Sequence, residues 1–167
     1  MSKKILVLTG SPNREGNSTK MADAFIRGAK QAGHSVTKFE TAFKNMRGFT
    51  SSPDDMAELT PLMNACDVLL ITTPLYWFSF PAQLKAVIDQ LDYSEGSQML
   101  NKDSYLFVSG GEKDSSTYAL IDALYHKVTE FEAWNEKGVL WARGLDATGE
   151  IEKSGLLEKA EEMGKNV

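Results

Sequence analysis

The stretch from Gly10 to Thr19, GSPNREGNST, places hydroxyl and amide side chains between and after two glycines. It follows an apolar run and leads into a segment with helical spacing, so it should join a strand to a helix. A helix N-terminus has unpaired N–H groups and a partial positive charge, which favour an anion. Helix capping by Asn17 or Ser18 explains one such side chain but not the whole set. The candidate phosphate ligands are Ser11, Asn13, Asn17, Ser18 and Thr19.

Two common phosphate-binding patterns are absent from this stretch. A P-loop requires lysine and then serine or threonine after its second glycine, whereas Asn17 follows Gly16 here. The dinucleotide pattern G-x-G-x-x-G is also missing. Because the stretch has no such lysine and no evident magnesium ligand, it suits a phosphate that stays in place better than one that is transferred.

Two later segments add surfaces for a flat ligand. The first, PLYWFSFP from Pro74 to Pro81, is rich in aromatic residues. Aromatic rings and backbone N–H groups there suit a flat conjugated ring, although a local hydrophobic cluster or a subunit contact would use the same residues. The second, SGGE from Ser109 to Glu112, has two glycines that would let the backbone lie against such a ring. A plain β-turn explains this second segment equally well.

Each of the three segments follows an apolar run typical of a buried strand. The predicted strands cover residues 4–9, 34–40, 67–73, 104–111 and 137–144. The predicted helices cover residues 18–32, 54–65, 81–92, 115–131 and 155–165. This alternation predicts an α/β protein, a parallel sheet with helices on both faces, formed by one domain of residues 1–167. Since ligands of such sheets bind at the carboxyl ends of the strands, the three segments should meet there.

Composition argues against several classes of function. The net charge of −5 argues against nucleic-acid binding. No apolar run approaches the roughly 20 residues that span a membrane, and the initial run is too short for a signal peptide, so we expect a cytoplasmic protein. A single cysteine, Cys66, excludes a disulfide within the chain and a cysteine-based metal cluster, and we expect it to be buried. His34 and His126 should lie on helix surfaces in solvent rather than act in catalysis or bind a metal.

Taken in this order, the three segments resemble the flavodoxin-like NAD(P)H-dependent FMN reductases and quinone reductases. The resemblance rests on GSPNREGNST, on PLYWFSFPAQLKAVIDQLD and on VSGGE, and it extends through LLEKAEEMGK near the end of the chain. It implies a flavodoxin-like three-layer sandwich with strand order 2-1-3-4-5, bound FMN, NAD(P)H as electron donor, and a homodimer or a dimer of dimers. Some relatives carry an iron–sulfur cluster on a group of cysteines, but this chain has none at those positions, so we expect no cluster.

The resemblance also assigns roles by position. Ser11, Asn17, Ser18 and Thr19 would hold the FMN phosphate. Pro74, Leu75, Tyr76, Trp77 and Phe78 would line the isoalloxazine ring, largely through backbone atoms, and Ser109, Gly110, Gly111 and Glu112 would border its other side. Many relatives have an arginine in the phosphate loop, and either Asn13 or Arg14 could take that place here.

The implied reaction is transfer of hydride from NAD(P)H through FMN to a quinone, a flavin, or a nitro or azo aromatic. The flavin carries the redox chemistry, so no catalytic side chain is expected. A flavodoxin-type electron carrier and a flavin-binding regulatory protein are the alternatives. The exposed aromatics of PLYWFSFP, with the helix that follows, are expected to form a two-fold subunit contact.

Overall fold

Five parallel strands form a sheet in the order β2-β1-β3-β4-β5. The computed structural model describes residues 1–50, 52–93 and 98–167. The strands are β1 (Lys4–Thr9), β2 (Ser35–Glu40), β3 (Val68–Pro74), β4 (Asp103–Gly110) and β5 (Asn135–Arg143). The α/β class predicted from the alternating pattern and the strand order implied by the resemblance are both confirmed.

Five α-helices connect or follow the strands in the described part of the chain. They are α1 (Asn17–Gln31), α2 (Met56–Ala65), α3 (Ala82–Asp89), α4 (Ala119–Phe131) and α5 (Leu156–Lys165). Each coincides with a predicted helix, but the one expected over 115–131 begins with a 3-10 turn, and α3 ends three residues before position 92. Between β2 and α2, a 3-10 turn covers Thr41–Phe43, and position 51 lies outside the described residues.

The central strands are buried on both faces, which explains their continuous apolar runs. In β1, Ile5 and Val7 pack in the core shared with α1 and α5, whereas Leu6 and Leu8 pack in the core shared with α2, α3 and α4. The same alternation continues through β3, β4 and β5. Because successive side chains of a strand point to opposite faces, a strand between two helix layers needs apolar residues at every position.

The single cysteine is buried, as predicted. Its thiol donates to the carbonyl oxygen of Met63 at 3.2 Å. Burial in apolar surroundings raises the pKa of the Cys66 thiol to about 11, so it stays protonated at neutral pH. An uncharged thiol of this kind acts as a packing residue.

The two histidines differ in their surroundings. His126 lies on α4 with half its side chain exposed, between the carboxylates of Glu136 and Asp122. The hydrogen bond that the imidazole donates to the Glu136 carboxylate raises the pKa of His126 above its usual range. The prediction that His34 lies on a helix surface is wrong. Gly33, at a φ of +86°, ends the helical path before it, and the Nδ1 atom of His34 accepts from the N–H of Lys3 at 3.2 Å.

Candidate functional site

The carboxyl ends of β1, β3, β4 and β5 surround a cleft of about 180 Å³. It is lined by Ser11, Asn13, Gly16, Asn17, Ser18, Pro74, Leu75, Tyr76, Ser109, Gly110, Gly111, Leu145, Asp146 and Thr148. Three of its four walls are the segments selected from the sequence. The fourth wall, residues 145–148 after β5, was not predicted.

Most of the residues proposed from the sequence are brought together at this cleft. Ten of the fourteen line it, and the other four are Thr19, Trp77, Phe78 and Glu112. Thr19 is buried beneath the first segment, whereas Trp77, Phe78 and Glu112 are exposed. Contact of any of these residues with a bound cofactor stays a prediction.

The first segment presents hydrogen-bond donors at the N-terminus of α1. The helical hydrogen bonds begin with the N–H of Lys20, which donates to the carbonyl of Gly16 at 3.0 Å. In the described part of the chain, the N–H groups of Asn17, Ser18 and Thr19 have no acceptor. The Ser18 hydroxyl also has no partner there, although only 1% of the residue is exposed. This end of the cleft is therefore suited to an anion.

The shape of this segment is fixed by its own hydrogen bonds. The carbonyl oxygen of Asn13 accepts from the N–H of Gly16 at 3.0 Å and from the Ser11 hydroxyl at 3.1 Å. It also accepts from the Thr19 hydroxyl at 2.9 Å. Thr19 thus supports the loop from below, which explains its absence from the cleft lining.

The structure separates Asn13 from Arg14. Asn13 lines the cleft, and its side-chain amide donates to the hydroxyl of Thr148 at 3.1 Å. Arg14 pairs with Glu40 at 3.2 Å, and its guanidinium lies 4.0 Å from the centre of the Phe43 ring. The described residues that line the cleft include no lysine or arginine. An anion bound here would depend on N–H groups and hydroxyls.

The side chain of Asn17 is fully used by the protein itself. Its amide nitrogen donates to the carbonyls of Leu145 at 3.3 Å and Ala147 at 3.0 Å. Its oxygen accepts from the N–H groups of Gly149 at 3.2 Å and Ile151 at 3.3 Å. The prediction that Asn17 holds a phosphate can therefore apply to its backbone N–H, because its side chain ties the fourth wall to α1.

The aromatic segment forms a two-residue turn. Tyr76 and Ser79 exchange both backbone hydrogen bonds at 3.1 Å, with Trp77 and Phe78 between them at φ values of +46° and +66°. Left-handed backbone is unfavourable for bulky side chains, so this turn is strained. Trp77 is 92% exposed, whereas Phe80 is buried in the core. Phe80 is therefore a core residue and not part of an exposed aromatic cluster.

The turn leaves two backbone donors free. The N–H of Leu75 donates to the carbonyl of Ser109 at 2.7 Å, and that of Tyr76 is used within the turn. Among the described residues, the N–H groups of Trp77 and Phe78 have no acceptor. These two residues can therefore bind a ligand through their backbone N–H groups, as the resemblance implies.

The glycines of the third segment lie close to side chains of the protein. A Cβ on Gly110 would lie 2.6 Å from the hydroxyl oxygen of Tyr118, and one on Gly111 would lie 3.0 Å from a carboxylate oxygen of Asp146. The carbonyl of Glu112 accepts from the Tyr118 hydroxyl at 2.9 Å and from the N–H of Gly144 at 3.0 Å. These contacts fix the segment against the 3-10 turn that precedes α4 and against the chain that follows β5.

The sequence analysis did not select the fourth wall. Leu145, Asp146 and Thr148 lie in RGLDATGE, a stretch without a recognised pattern. Their position just after the last strand was the available signal, since ligands of parallel sheets contact the segments that follow the strands.

Two further findings concern residues outside the cleft. In residues 1–50, 52–93 and 98–167, no three His, Cys, Asp or Glu side chains come together as a set of metal ligands. None of the helices in these ranges has the length and apolar character needed to cross a membrane.

Comparison with known proteins places these observations in a family. The family model described as NADPH-dependent FMN reductase matches residues 3–144. An iron–sulfur flavoprotein of Archaeoglobus fulgidus is 29% identical over 99 residues, a match that covers 53% of this chain and 45% of that protein. An uncharacterised NAD(P)H oxidoreductase of Escherichia coli is 26% identical over 133 residues, covering 68% of each chain.

Solved structures have the same fold. The NAD(P)H:quinone oxidoreductase of Methanothermobacter marburgensis has a TM-score of 0.72 at 19% sequence identity, and the match covers 99% of this chain and 97% of the other. At this level of identity, the similarity shows that the two chains share their architecture.

Proposed function

The chain belongs to the NADPH-dependent FMN reductase family, and we propose that it passes hydride from NAD(P)H through FMN to a quinone or another aromatic acceptor. The family membership that the sequence resemblance suggested is confirmed, and with it FMN as cofactor and NAD(P)H as donor. The observation that carries the proposal is the cleft, with anion-binding groups at one end and glycines and an aromatic turn at the other.

The residues of the cleft fit FMN in their chemistry. The unpaired N–H groups at the start of α1 and the Ser18 hydroxyl can donate to the phosphate. Leu75, Tyr76 and the two glycines of the third segment offer apolar and backbone surface to a flat ring. When bound, FMN supplies the hydride-accepting and hydride-donating chemistry.

The protein itself binds and orients the flavin and tunes its reactivity. The turn at Trp77 and Phe78 can direct two free N–H groups at negative charge that develops on a reduced ring. The side chain of Trp77, almost wholly exposed, is available to a flat molecule at the mouth of the site. Neither role requires an acid–base side chain.

Quinones are the first class of acceptor that we propose. Support comes from the name of the Methanothermobacter structure and from the aromatic turn beside the cleft. Free flavins and nitro or azo aromatics are further members of the same class of flat acceptors. The cytoplasmic location and the lack of an iron–sulfur cluster stay predictions from the sequence.

Steady-state kinetics tests the acceptor proposal. If donor and quinone use the same face of the flavin in turn, double-reciprocal plots against 1,4-naphthoquinone at several NADPH concentrations should be parallel. Ferricyanide, which is not aromatic, is the control acceptor. Intersecting lines, or activity with ferricyanide and none with any quinone, would contradict the proposal.

The Ser18 hydroxyl tests the assignment of the phosphate end. A hydrogen bond to a charged group contributes about 1.5–3 kcal/mol, so Ser18→Ala should weaken FMN binding roughly 10- to 100-fold. Riboflavin lacks the phosphate and is the control ligand, and its affinity should not change. An equal loss for riboflavin would show that Ser18 does not contact the phosphate.

We also propose that the chain forms a two-fold dimer through the aromatic turn and α3. The exposed rings of Tyr76, Trp77 and Phe78 support this, because three adjacent exposed aromatics are unusual on a monomer surface. Sedimentation at micromolar concentration should give a dimer of the 18.4 kDa chain or a multiple of it. A monomer with full FMN content and full reductase activity would refute the dimer.

A further inference from the structure

An acidic side chain lines a cleft whose other end is suited to an anion. Asp146 lies in the fourth wall, and its carboxylate has no hydrogen bond or ion pair with any described residue. Two cations in neighbouring segments have other contacts: Arg143 lies over the rings of Tyr118 and Trp141, and the side chain of Lys113 packs against Gly144. The carboxylate is therefore free to bind a ligand.

The backbone on both sides of Asp146 is fixed. The N–H of Leu145 donates to the carbonyl of Gly110 at 3.0 Å, and the N–H of Ala147 donates to the Glu150 carboxylate at 3.0 Å. The Asn17 amide donates to the carbonyls of both Leu145 and Ala147. Because three separate elements hold these neighbours, the backbone of Asp146 keeps a defined place at the cleft, and its side chain is exposed there.

That place is between the two ends of the cleft. Thr148 is tied to Asn13 in the first segment, which is the anion-binding end. On the other side, an oxygen of the Asp146 carboxylate lies 3.0 Å from the position that a Cβ on Gly111 would take, and Gly111 borders the end proposed for the ring. Asp146 thus lies beside the part of a bound cofactor that connects its phosphate to its ring.

A carboxylate accepts hydrogen bonds and does not donate them. In FMN the phosphate is also an acceptor, whereas the ribityl chain between phosphate and ring carries hydroxyl donors. We propose that Asp146 binds the ribityl hydroxyls of FMN and that the Asn17 side chain is the positioning residue that holds it there. This inference rests on the proposed function, because it concerns the cofactor of the same site.

Three flavins separate the possible roles of Asp146. The full-length chain, freed of flavin, is titrated with FMN, with riboflavin and with lumiflavin, which has the ring without the ribityl chain. Asp146→Ala should weaken FMN and riboflavin by a similar factor of about 10 or more and leave lumiflavin unchanged. Glu158→Ala removes the same charge from the exposed face of α5 and should alter none of the three affinities.

The positioning role of Asn17 requires a second readout. Asn17→Ala should weaken FMN and riboflavin but not lumiflavin, and adding Asp146→Ala to it should cause little further loss, because the carboxylate is already misplaced. Fully additive losses would show that Asn17 does not act through Asp146.

The remaining outcomes would overturn the inference. Equal loss of lumiflavin would place the carboxylate on the ring, and tighter FMN binding by Asp146→Ala would mean that it repels the phosphate. Unchanged affinities, with normal flavin binding by the wild type, would overturn this inference alone. If the wild-type apoprotein bound no flavin, the proposed function would fall as well.

Discussion

Gly28→Ala is expected to lower the free energy of unfolding by about 3 kcal/mol, the largest effect on stability that we predict for a single methyl group. A Cβ at Gly28 in α1 would lie 2.0 Å from the carbonyl oxygen of Glu161 in α5. The reciprocal contact is equally close, since a Cβ at Gly164 would lie 2.1 Å from the carbonyl oxygen of Phe25. Both obstacles are backbone atoms, so the two helices would have to move apart.

Urea denaturation of Gly28→Ala and of a matched variant tests this account of the helix pair. A Cβ at Gly138 in β5 would meet the terminal methyl group of Met163 at 2.6 Å, and that flexible side chain can move aside. Gly138→Ala should therefore cost less than about 1 kcal/mol. Equal losses for the two variants would contradict the close helix contact.

The same pair of helices supports the cofactor site. The N-terminus of α1 presents the free N–H groups, and packing against α5 fixes the direction of its axis. We therefore expect Gly28→Ala to weaken FMN binding in addition to lowering the free energy of unfolding.

The architecture was predictable because it depends on local patterns. The doubly buried strands β1, β3 and β4 appear in the sequence as unbroken apolar runs, and α1 shows helical spacing of its buried residues. The strand order and the cofactor came from the resemblance, which rests on three short segments in a fixed sequence order.

Parts of the site could not be predicted because they depend on distant contacts. The Asn17 side chain binds backbone groups 128 to 134 residues further along the chain. Its type and position are those of a phosphate ligand, so the sequence favoured that role. The left-handed backbone of Trp77 and Phe78 is also invisible in the sequence, because neither residue type favours such a turn.

The central claim is that NAD(P)H delivers hydride to the bound flavin in a first half-reaction. Family membership supplies the donor, and the open cleft at the sheet edge supplies the site. We expect complete reduction of the flavin. A holoprotein that is yellow in air should lose its visible flavin absorption when the donor is added without oxygen. Adding a quinone should then restore the colour, because the second half-reaction reoxidises the flavin.

Anaerobic titration of the purified holoprotein with NADPH, and separately with NADH, is the most direct test. We predict that at least one nucleotide bleaches the flavin before any acceptor is present, at one nucleotide for each FMN. Dithionite is the control, because it reduces flavin without using a nucleotide site. Bleaching by dithionite and by neither nucleotide would contradict the reductase account and favour an electron carrier.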